Sequence, residues 1–159
     1  MKKQAVIKKI IAKLNADLKI YYKAALTARE DATDPQSKAE NKYDTRGLEA
    51  SYLARGQSKQ AAETEASIEE FEKMVVKNFK PDEAVNIGAL VELDGRGEQM
   101  LYFLANRAGG LEVIHEKREI LVITPQAPLG QHLMGKKAGD KIKMEIAGSK
   151  SEYRVLAVS

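Results

Sequence analysis

The side chains best suited to chemistry are carboxylates gathered in one stretch. Between Glu30 and Glu49 stand six acids (Glu30, Asp31, Asp34, Glu40, Asp44, Glu49) against three bases (Lys38, Lys42, Arg46), although the whole chain of 159 residues carries a net charge of +3. Carboxylate oxygens are hard ligands of the kind Mg²⁺ and Ca²⁺ take, so such a stretch can lend a ligand to a divalent cation; the plain alternative is a solvated acidic turn. The chain has no cysteine and only two histidines, His115 and His132, which excludes disulfides, thiolate metal sites, thiol nucleophiles and a multi-histidine metal site. Both histidines read as ordinary surface or edge residues. A second stretch, Gly130-x-x-x-x-Gly135-Lys136-Lys137, nearly spells a phosphate-binding loop. It lacks the Ser or Thr that ligates Mg²⁺ and follows Pro128 rather than a clear strand, so Gly135 reads better as a helix stop and Lys136-Lys137 as surface or docking charge.

Long helices flank the acidic stretch. From Lys2 to Ala32 there is no Gly or Pro, and Ile7, Ile11, Leu14, Leu18, Tyr21, Ala25, Ala28 and Ala32 fall at alternating steps of four and three, a heptad seam that wants a partner helix. The seam shrinks from Ile and Leu to Ala, which suits two helices converging in a slender end. Asp34-Pro35 is a helix-start signal, Asp as cap and Pro at the first helical position. Ser37, Asn41, Asp44, Thr45 and Gly47 all favour turns or caps, so regular helix can begin at Pro35 or nearer Tyr43. Backwards from Val75, the positions Phe71, Ile68, Thr64, Ala61, Gln57, Ala54, Ala50, Gly47 and Tyr43 repeat the seam, and the spacing predicts a second helix to about Asn78. Polar Gln57 and Thr64, together with Gly47 and Gly56, predict tight packing near its C-terminal end and looser packing near the tip. Residues 1–79 therefore read as an antiparallel two-helix coiled-coil hairpin with its acidic tip at about 33–47, roughly 50 Å from root to tip at 1.5 Å per residue.

From Ile87 the period changes to short strand-like runs between turn signals. Ala89 to Leu93 leads into Asp94-Gly95-Arg96-Gly97, a hairpin turn, and then Met100 to Leu104. Ile120 to Ile123, Lys141 to Ile146 and the alternation Tyr153, Val155, Ala157 complete about five strands, to which Glu112 to His115 can add a further short one, with Gly148-Ser149 turning the chain and one short helix at Leu129 to Met134. The expected fold is α+β, with a β-rich domain over 80–159 and a boundary near Asn78 to Asp82, where Pro81 ends the helical period.

Charge divides unevenly. Residues 1–78 carry 15 Lys+Arg and 12 Asp+Glu, and residues 79–159 carry 11 of each, so the basic excess lies in the first half, with five lysines among the first 13 residues. That is too little to make nucleic-acid binding the default. No apolar run approaches the roughly 18 residues of a membrane span, and Met-Lys-Lys is not followed by an apolar signal core. The expectation is a monomeric cytoplasmic protein with no membrane association.

The segment Ala127-Pro-Leu-Gly-Gln-His-Leu-Met-Gly-Lys-Lys-Ala-Gly-Asp140, followed by alternating strands to Tyr153-x-Val155, resembles the C-terminal domain of the GreA/GreB transcript-cleavage factors of bacterial RNA polymerase. That family has Ser-Pro-(apolar)-(small)-x-x-Leu-(apolar)-Gly-Lys-x-x-Gly-Asp there, and Glu40-Asn41-Lys42-Tyr43 resembles its tip motif Glu-Asn-Ala-(Glu/Asp)-Tyr. The resemblance implies a second domain like the FK506-binding proteins in fold, docked on the polymerase through Pro128, Leu129, Gly130, Leu133, Gly135, Lys136, Gly139 and Asp140. It also implies a hairpin reaching down the secondary channel. Tip carboxylates, Glu40 with Asp44 or Asp34 and with Asn41 and Tyr43 in support, then help hold a transient second Mg²⁺ beside the polymerase's own, so that the polymerase hydrolyses the 3′ end of backtracked RNA. On this reading the chain is an accessory factor rather than an enzyme, has no cofactor of its own, and meets nascent RNA only indirectly. Two departures stand out: Ser37 occupies the place of a family Asp, and one residue is missing between Asn41 and Tyr43. They leave open a second reading, a factor that occupies the channel without promoting cleavage. A prolyl isomerase or chaperone-like module is suggested by fold resemblance alone; only Tyr102, Phe103 and Tyr153 supply aromatic side chains in that domain.

Overall fold

The computed structural model describes residues 2–37, 40 and 45–159, and the chain divides into two units, Met1–Ile10 with Lys73–Ser159, and Ile11–Glu72. Helix α1 spans Lys3–Thr33 and runs through both, as the absence of Gly and Pro predicts. One 3₁₀ turn, Pro35–Ser37, follows, and helix α2 spans Arg46–Lys73. The sequence left the start of the second helix open between Pro35 and Tyr43; continuous α-helix begins at Arg46, and Pro35 opens only the short turn.

Burial along α2 follows the seam. Ala61, Thr64, Ile68 and Phe71 are buried, whereas Gly47, Ala50, Ala54 and Gln57 are only half-buried. The buried hydroxyls are satisfied within the helix, Thr64 Oγ1 donating to Gln60 O at 2.8 Å and Ser67 Oγ to Glu63 O at 3.0 Å, the local bonding that lets small polar residues sit on an inner face. Gly56 lies within α2 with no atom within 4 Å of where a Cβ would stand. Gly56→Ala is therefore expected to stabilise the protein by about 1 kcal/mol, because alanine restricts the unfolded chain and meets no obstacle in the helix; urea denaturation followed by circular dichroism measures it.

The second helix stops at Lys73, earlier than the spacing to Asn78 predicts. Tertiary contacts win here. Beyond it the chain is non-helical, Phe79 reaches the core and the Lys77 carbonyl accepts from Lys3 Nζ. The β-branched pair Val75-Val76 gives helix little to hold it.

The β-rich part is a six-stranded sheet in the order β3-β4-β2-β1-β6-β5, and its strands fall on the runs read from the sequence, the short Glu112–His115 run included. The strands are β1 Leu90–Gly95, β2 Glu98–Leu104, β3 Glu112–His115, β4 Arg118–Ile123, β5 Lys141–Ile146 and β6 Ser149–Val158, with helix α3, Pro128–Leu133, after β4. All neighbours are antiparallel except β2 and β4, which pair in parallel with Leu101 opposite Ile120 and Phe103 opposite Val122. The first hairpin turn lies within the Asp94–Gly97 stretch that composition marked, and the second begins one residue before Gly148-Ser149. Arg96 and Gly97 (φ 55° and 79°) join β1 to β2, and Ala147 and Gly148 (φ 51° and 79°) join β5 to β6. Paired left-handed residues of this kind match the twist of a two-residue hairpin. Gly95 is instead the last residue of β1, where a Cβ would lie 2.4 Å from the Tyr153 ring.

Side chains alternate across the strands, so the sheet has two apolar faces. On one, Val91, Leu93, Leu104, Ile123, Ile142, Val155 and the wholly buried Leu133 of α3 form a core with Phe79 and Val85. On the other, Leu90, Leu101, Phe103, Val113, Ile120 and Val122 are buried, as are Val6, Ile7 and Ile10 of the first turns of α1, which lie in the same unit. Lys9 Nζ donates to Ile114 O at 2.8 Å and Lys3 Nζ to Gly88 O at 2.9 Å, ties that hold those turns to the sheet.

Lys3 is the least expected part of this arrangement. Its side chain is buried, donates to the carbonyls of Lys77 and Gly88, and stands 4.7 Å from the Phe79 ring centre; Lys77 Nζ stands 4.6 Å from the same ring and pairs with Glu83. Burial, and secondarily the nearby Lys77 charge, push the Lys3 ammonium down to about 8, against an opposing pull from Glu83. The Lys77 ammonium and the Lys80 N–H hold the Glu83 carboxyl below its usual range. The unfolded chain keeps a lysine near its ordinary value of about 10.4, so between about pH 8 and 10 it binds more protons than the folded chain, and stability rises with pH through that window. Relative to Lys3→Met, the wild type is expected to gain about 1 kcal/mol between pH 8 and 10, a figure reduced for residual solvent screening. Paired denaturant titrations at the two pH values test it; equal changes in both proteins contradict it.

Candidate functional site

Of the six acids in the stretch the structure describes all but Asp44, and among the described residues it brings neither Asp34 nor Glu40, the candidate tip carboxylates, into a metal-holding cluster. Asp34 follows the last residue of α1, and its Oδ1 accepts from the Gln36 N–H at 2.9 Å, so its charge caps the 3₁₀ turn as the Asp-Pro signal predicts. Glu40 is exposed, and its Oε1 lies 3.7 Å from Arg46 Nη2, both side chains more than half exposed. Arg46 is the first residue of α2, so the pair spans the start of that helix. Thr45 Oγ1 donates to Glu49 Oε1 at 3.0 Å, and the Glu49 N–H closes the first helical bond to Thr45 O at 2.9 Å. Asn41, Tyr43 and Asp44 lie outside the described residues. Among the described residues, no group of three His, Asp or Glu side chains stands together as a metal cage.

The 127–140 segment is occupied largely with its own folding. At Gly130 a Cβ would stand 1.9 Å from the Thr124 carbonyl oxygen, a contact no other residue tolerates. Leu133 is 0% exposed in the core. Gly135 ends α3 with φ 83° and donates its N–H to Val85 O at 3.0 Å, while Lys136 O accepts from Val85 N–H at 2.7 Å, pinning the 80–88 segment to the end of the helix. Gly139 takes φ 92° and donates to Val155 O at 2.7 Å, and Asp140 Oδ2 accepts from the Lys137 N–H at 2.8 Å, closing the turn into β5. Of the residues singled out in this segment, half-buried Leu129 and Lys136 and exposed Pro128, Lys137 and Asp140 present side chains to solvent, beside exposed Gln131 and His132. The α3 helix has six residues and no strand leads directly into it, which leaves the phosphate-loop spelling without its structural context.

The histidines divide. His132 is exposed on α3, but His115, on the edge strand β3, is buried, with Nε2 3.6 Å from Glu116 Oε1. The alternation of β3, with Val113 and His115 on one side, was the signal for that burial; a four-residue strand carries it weakly.

A family profile described as "Transcription elongation factor, GreA/GreB, C-term" matches residues 80–159, just over half of the chain. The chain belongs to the GreA/GreB family. The match takes in the whole sheet and α3 of this GreA/GreB-family chain, including the 127–140 segment. No curated protein sequence matches it. Among solved structures it is similar to GreA factor homolog 1 (Gfh1) of Thermus thermophilus, at 22% identity, covering 94% of each chain with a TM-score of 0.39. It is also similar to Gfh1 of Thermus aquaticus, at 21% identity, covering 92% of each chain with a TM-score of 0.39. A third, GreA/GreB from Nitrosomonas europaea, is 19% identical, covers 70% of this chain and 92% of that one, and has a TM-score of 0.37. As a GreA/GreB-family member the chain is a transcription elongation factor of the kind that binds RNA polymerase. No helix among its described residues is long and apolar enough to cross a membrane.

Proposed function

We propose that this cytoplasmic factor inserts α1 and α2, as an antiparallel coiled-coil hairpin, into the secondary channel of RNA polymerase. There it stimulates cleavage of backtracked RNA by the polymerase's own active site. The observation that supports this reading is the family match over 80–159 joined to an N-terminal pair of long helices whose connection carries an exposed carboxylate, Glu40. Glu40, with Asp44, lends oxygen to a second Mg²⁺ shared with the polymerase, and two cations together stabilise the attacking and leaving oxygens of the hydrolysis. Asn41 and Tyr43 support the tip. The β-rich part, taken to share the topology of the FK506-binding proteins, docks at the channel rim through the solvent-facing part of the 127–140 segment, Pro128, Leu129, Lys136 and Asp140. Gly130, Leu133, Gly135 and Gly139 serve that surface by shaping it.

One observation favours a second reading, in which the factor occupies the channel and regulates transcription without promoting cleavage. Asp34 is engaged in capping Gln36 and position 37 is a serine, so fewer acids are available to a weakly held ion. The experiment is a stalled, backtracked elongation complex incubated with the protein and Mg²⁺. Shortening of the RNA from its 3′ end supports cleavage; polymerase binding with altered initiation or pausing but no shortening supports the second reading; failure to bind polymerase sinks both.

A further inference from the structure

On the core-forming face of the sheet, Leu133 of α3 joins a buried cluster with residues of β1, β2, β4, β5 and β6, and no residue of β3 belongs to that cluster. The register puts Glu112 opposite Leu121 and Ile114 opposite Glu119 across the β3–β4 pair, with Tyr102 of β2 opposite Leu121. Ile114 is 67% exposed, and Met100, Tyr102 and Leu121 are half-buried. Met100, Tyr102 and Leu121 line a groove of about 530 Å³ with Glu98, Glu112 and Glu119, and Ile114, the register partner of Glu119, stands beside it on the edge strand. Tyr102 spends its hydroxyl on Met100 Sδ at 3.4 Å, so the floor is apolar in effect and the acids form the walls.

The two acids of the β3–β4 pair are diagonal neighbours on one face, an arrangement that costs stability in an open sheet. The Glu112 carboxyl, hydrogen-bonded to Glu119 and repelling its charge, holds Glu119 above the usual carboxylate range, which is the behaviour of two carboxylates left without a shared cation. Of the two cations that line the groove, Arg118 is committed to Glu92, Nη2 to Oε1 at 2.9 Å, and Lys117 belongs to the hairpin turn between β3 and β4. The groove thus combines an exposed aliphatic strip with two carboxyls that are diagonal neighbours within hydrogen-bonding reach of each other. A guanidinium answers that pair with two parallel N–H donors, and its aliphatic stem can lie along an apolar floor.

We propose that this groove is a docking surface for an arginine-bearing, otherwise aliphatic segment of a partner protein, the guanidinium bridging Glu112 and Glu119 and its neighbours covering Ile114 and Leu121. The surface is distinct from the 127–140 segment and independent of what happens at the Glu40 tip.

The test is methyl NMR on the full chain labelled at Ile, Leu and Met, titrated with acetyl-Leu-Arg-Leu-amide and, separately, with acetyl-Leu-Glu-Leu-amide and with MgCl₂. The arginine peptide is expected to shift the Ile114, Leu121 and Met100 methyls saturably. Its apparent Kd is expected to weaken at least about tenfold, or 1.4 kcal/mol, in Glu112→Gln/Glu119→Gln. Ile114→Ser, which keeps both acids, is expected to weaken it less. The proposal is overturned if these methyls do not move, if the glutamate peptide moves them equally, if the double glutamine variant binds as well as wild type, or if MgCl₂ at low millimolar concentration competes the peptide away, which makes the pair a cation site.

Discussion

Gly130→Ala is expected to destabilise the protein by about 3 kcal/mol or more and to weaken polymerase binding only as far as it unfolds the β-rich part. An alanine Cβ at this position would overlap the Thr124 carbonyl oxygen at 1.9 Å, and the next nearest atoms, Thr124 C at 2.9 Å and Pro125 Cα at 3.3 Å, are also backbone. No side-chain rotation relieves such a clash, so either the 124–125 segment or the start of α3 must move. That shift propagates directly, because the adjacent Leu133 is wholly buried and the turn after α3 exchanges two hydrogen bonds with Val85. Overpacking with rigid neighbours lies at or above the upper end of the usual 1–3 kcal/mol. Denaturant unfolding monitored by Tyr fluorescence measures the loss. If Gly130→Ala keeps full stability and yet loses polymerase binding, the glycine is a contact residue and the structural account of it is wrong.

Glu40→Gln is the other large effect, and it follows from the cleavage reading. The substitution keeps shape and one acceptor oxygen while removing the charge, so stability should change by no more than about 0.5 kcal/mol at this exposed position. RNA cleavage in the backtracked complex should fall at least about tenfold, since a hard divalent ion loses an anionic oxygen that water or an amide replaces poorly. Asp34→Asn provides the contrast: asparagine still caps the Gln36 N–H, so cleavage and fold should both survive it. Equal losses from the two variants, or none from Glu40→Gln with activity intact, count against Glu40 as the ligand.

Much of this molecule can be read without coordinates because its signals are local. The uninterrupted run from Lys2 sets α1, the change of period after Ile87 marks the strands, and the Ala127–Asp140 segment carries the family resemblance. What was misread shares one cause. Helix α2 ends at Lys73 because Phe79 and the Lys77 carbonyl are used elsewhere in the fold, and nothing in the local spacing announces either demand. The hairpin turn at Ala147-Gly148 falls one residue before Gly148-Ser149 because cross-strand register, set by pairs such as Met144 with Ser151, decides which residues are central. The burial of Lys3 was invisible for the same reason, and that of His115 was signalled only by the alternation of a four-residue strand.

The sequence by itself determined the two long helices, the strand-rich second half, the glycines and caps that punctuate them, and the family to which they belong, because each is written in residues within a few positions of one another. Only the tertiary structure decided that the first ten residues group with the sheet, that β2 and β4 lie side by side in parallel, and that Gly130 and Leu133 face inward from a segment that also offers Pro128 and Lys136 to solvent. Those outcomes rest on contacts between residues far apart in the chain, such as Lys3 with Gly88 and Val85 with Lys136, whose free energy depends on three-dimensional proximity and leaves no period in the sequence.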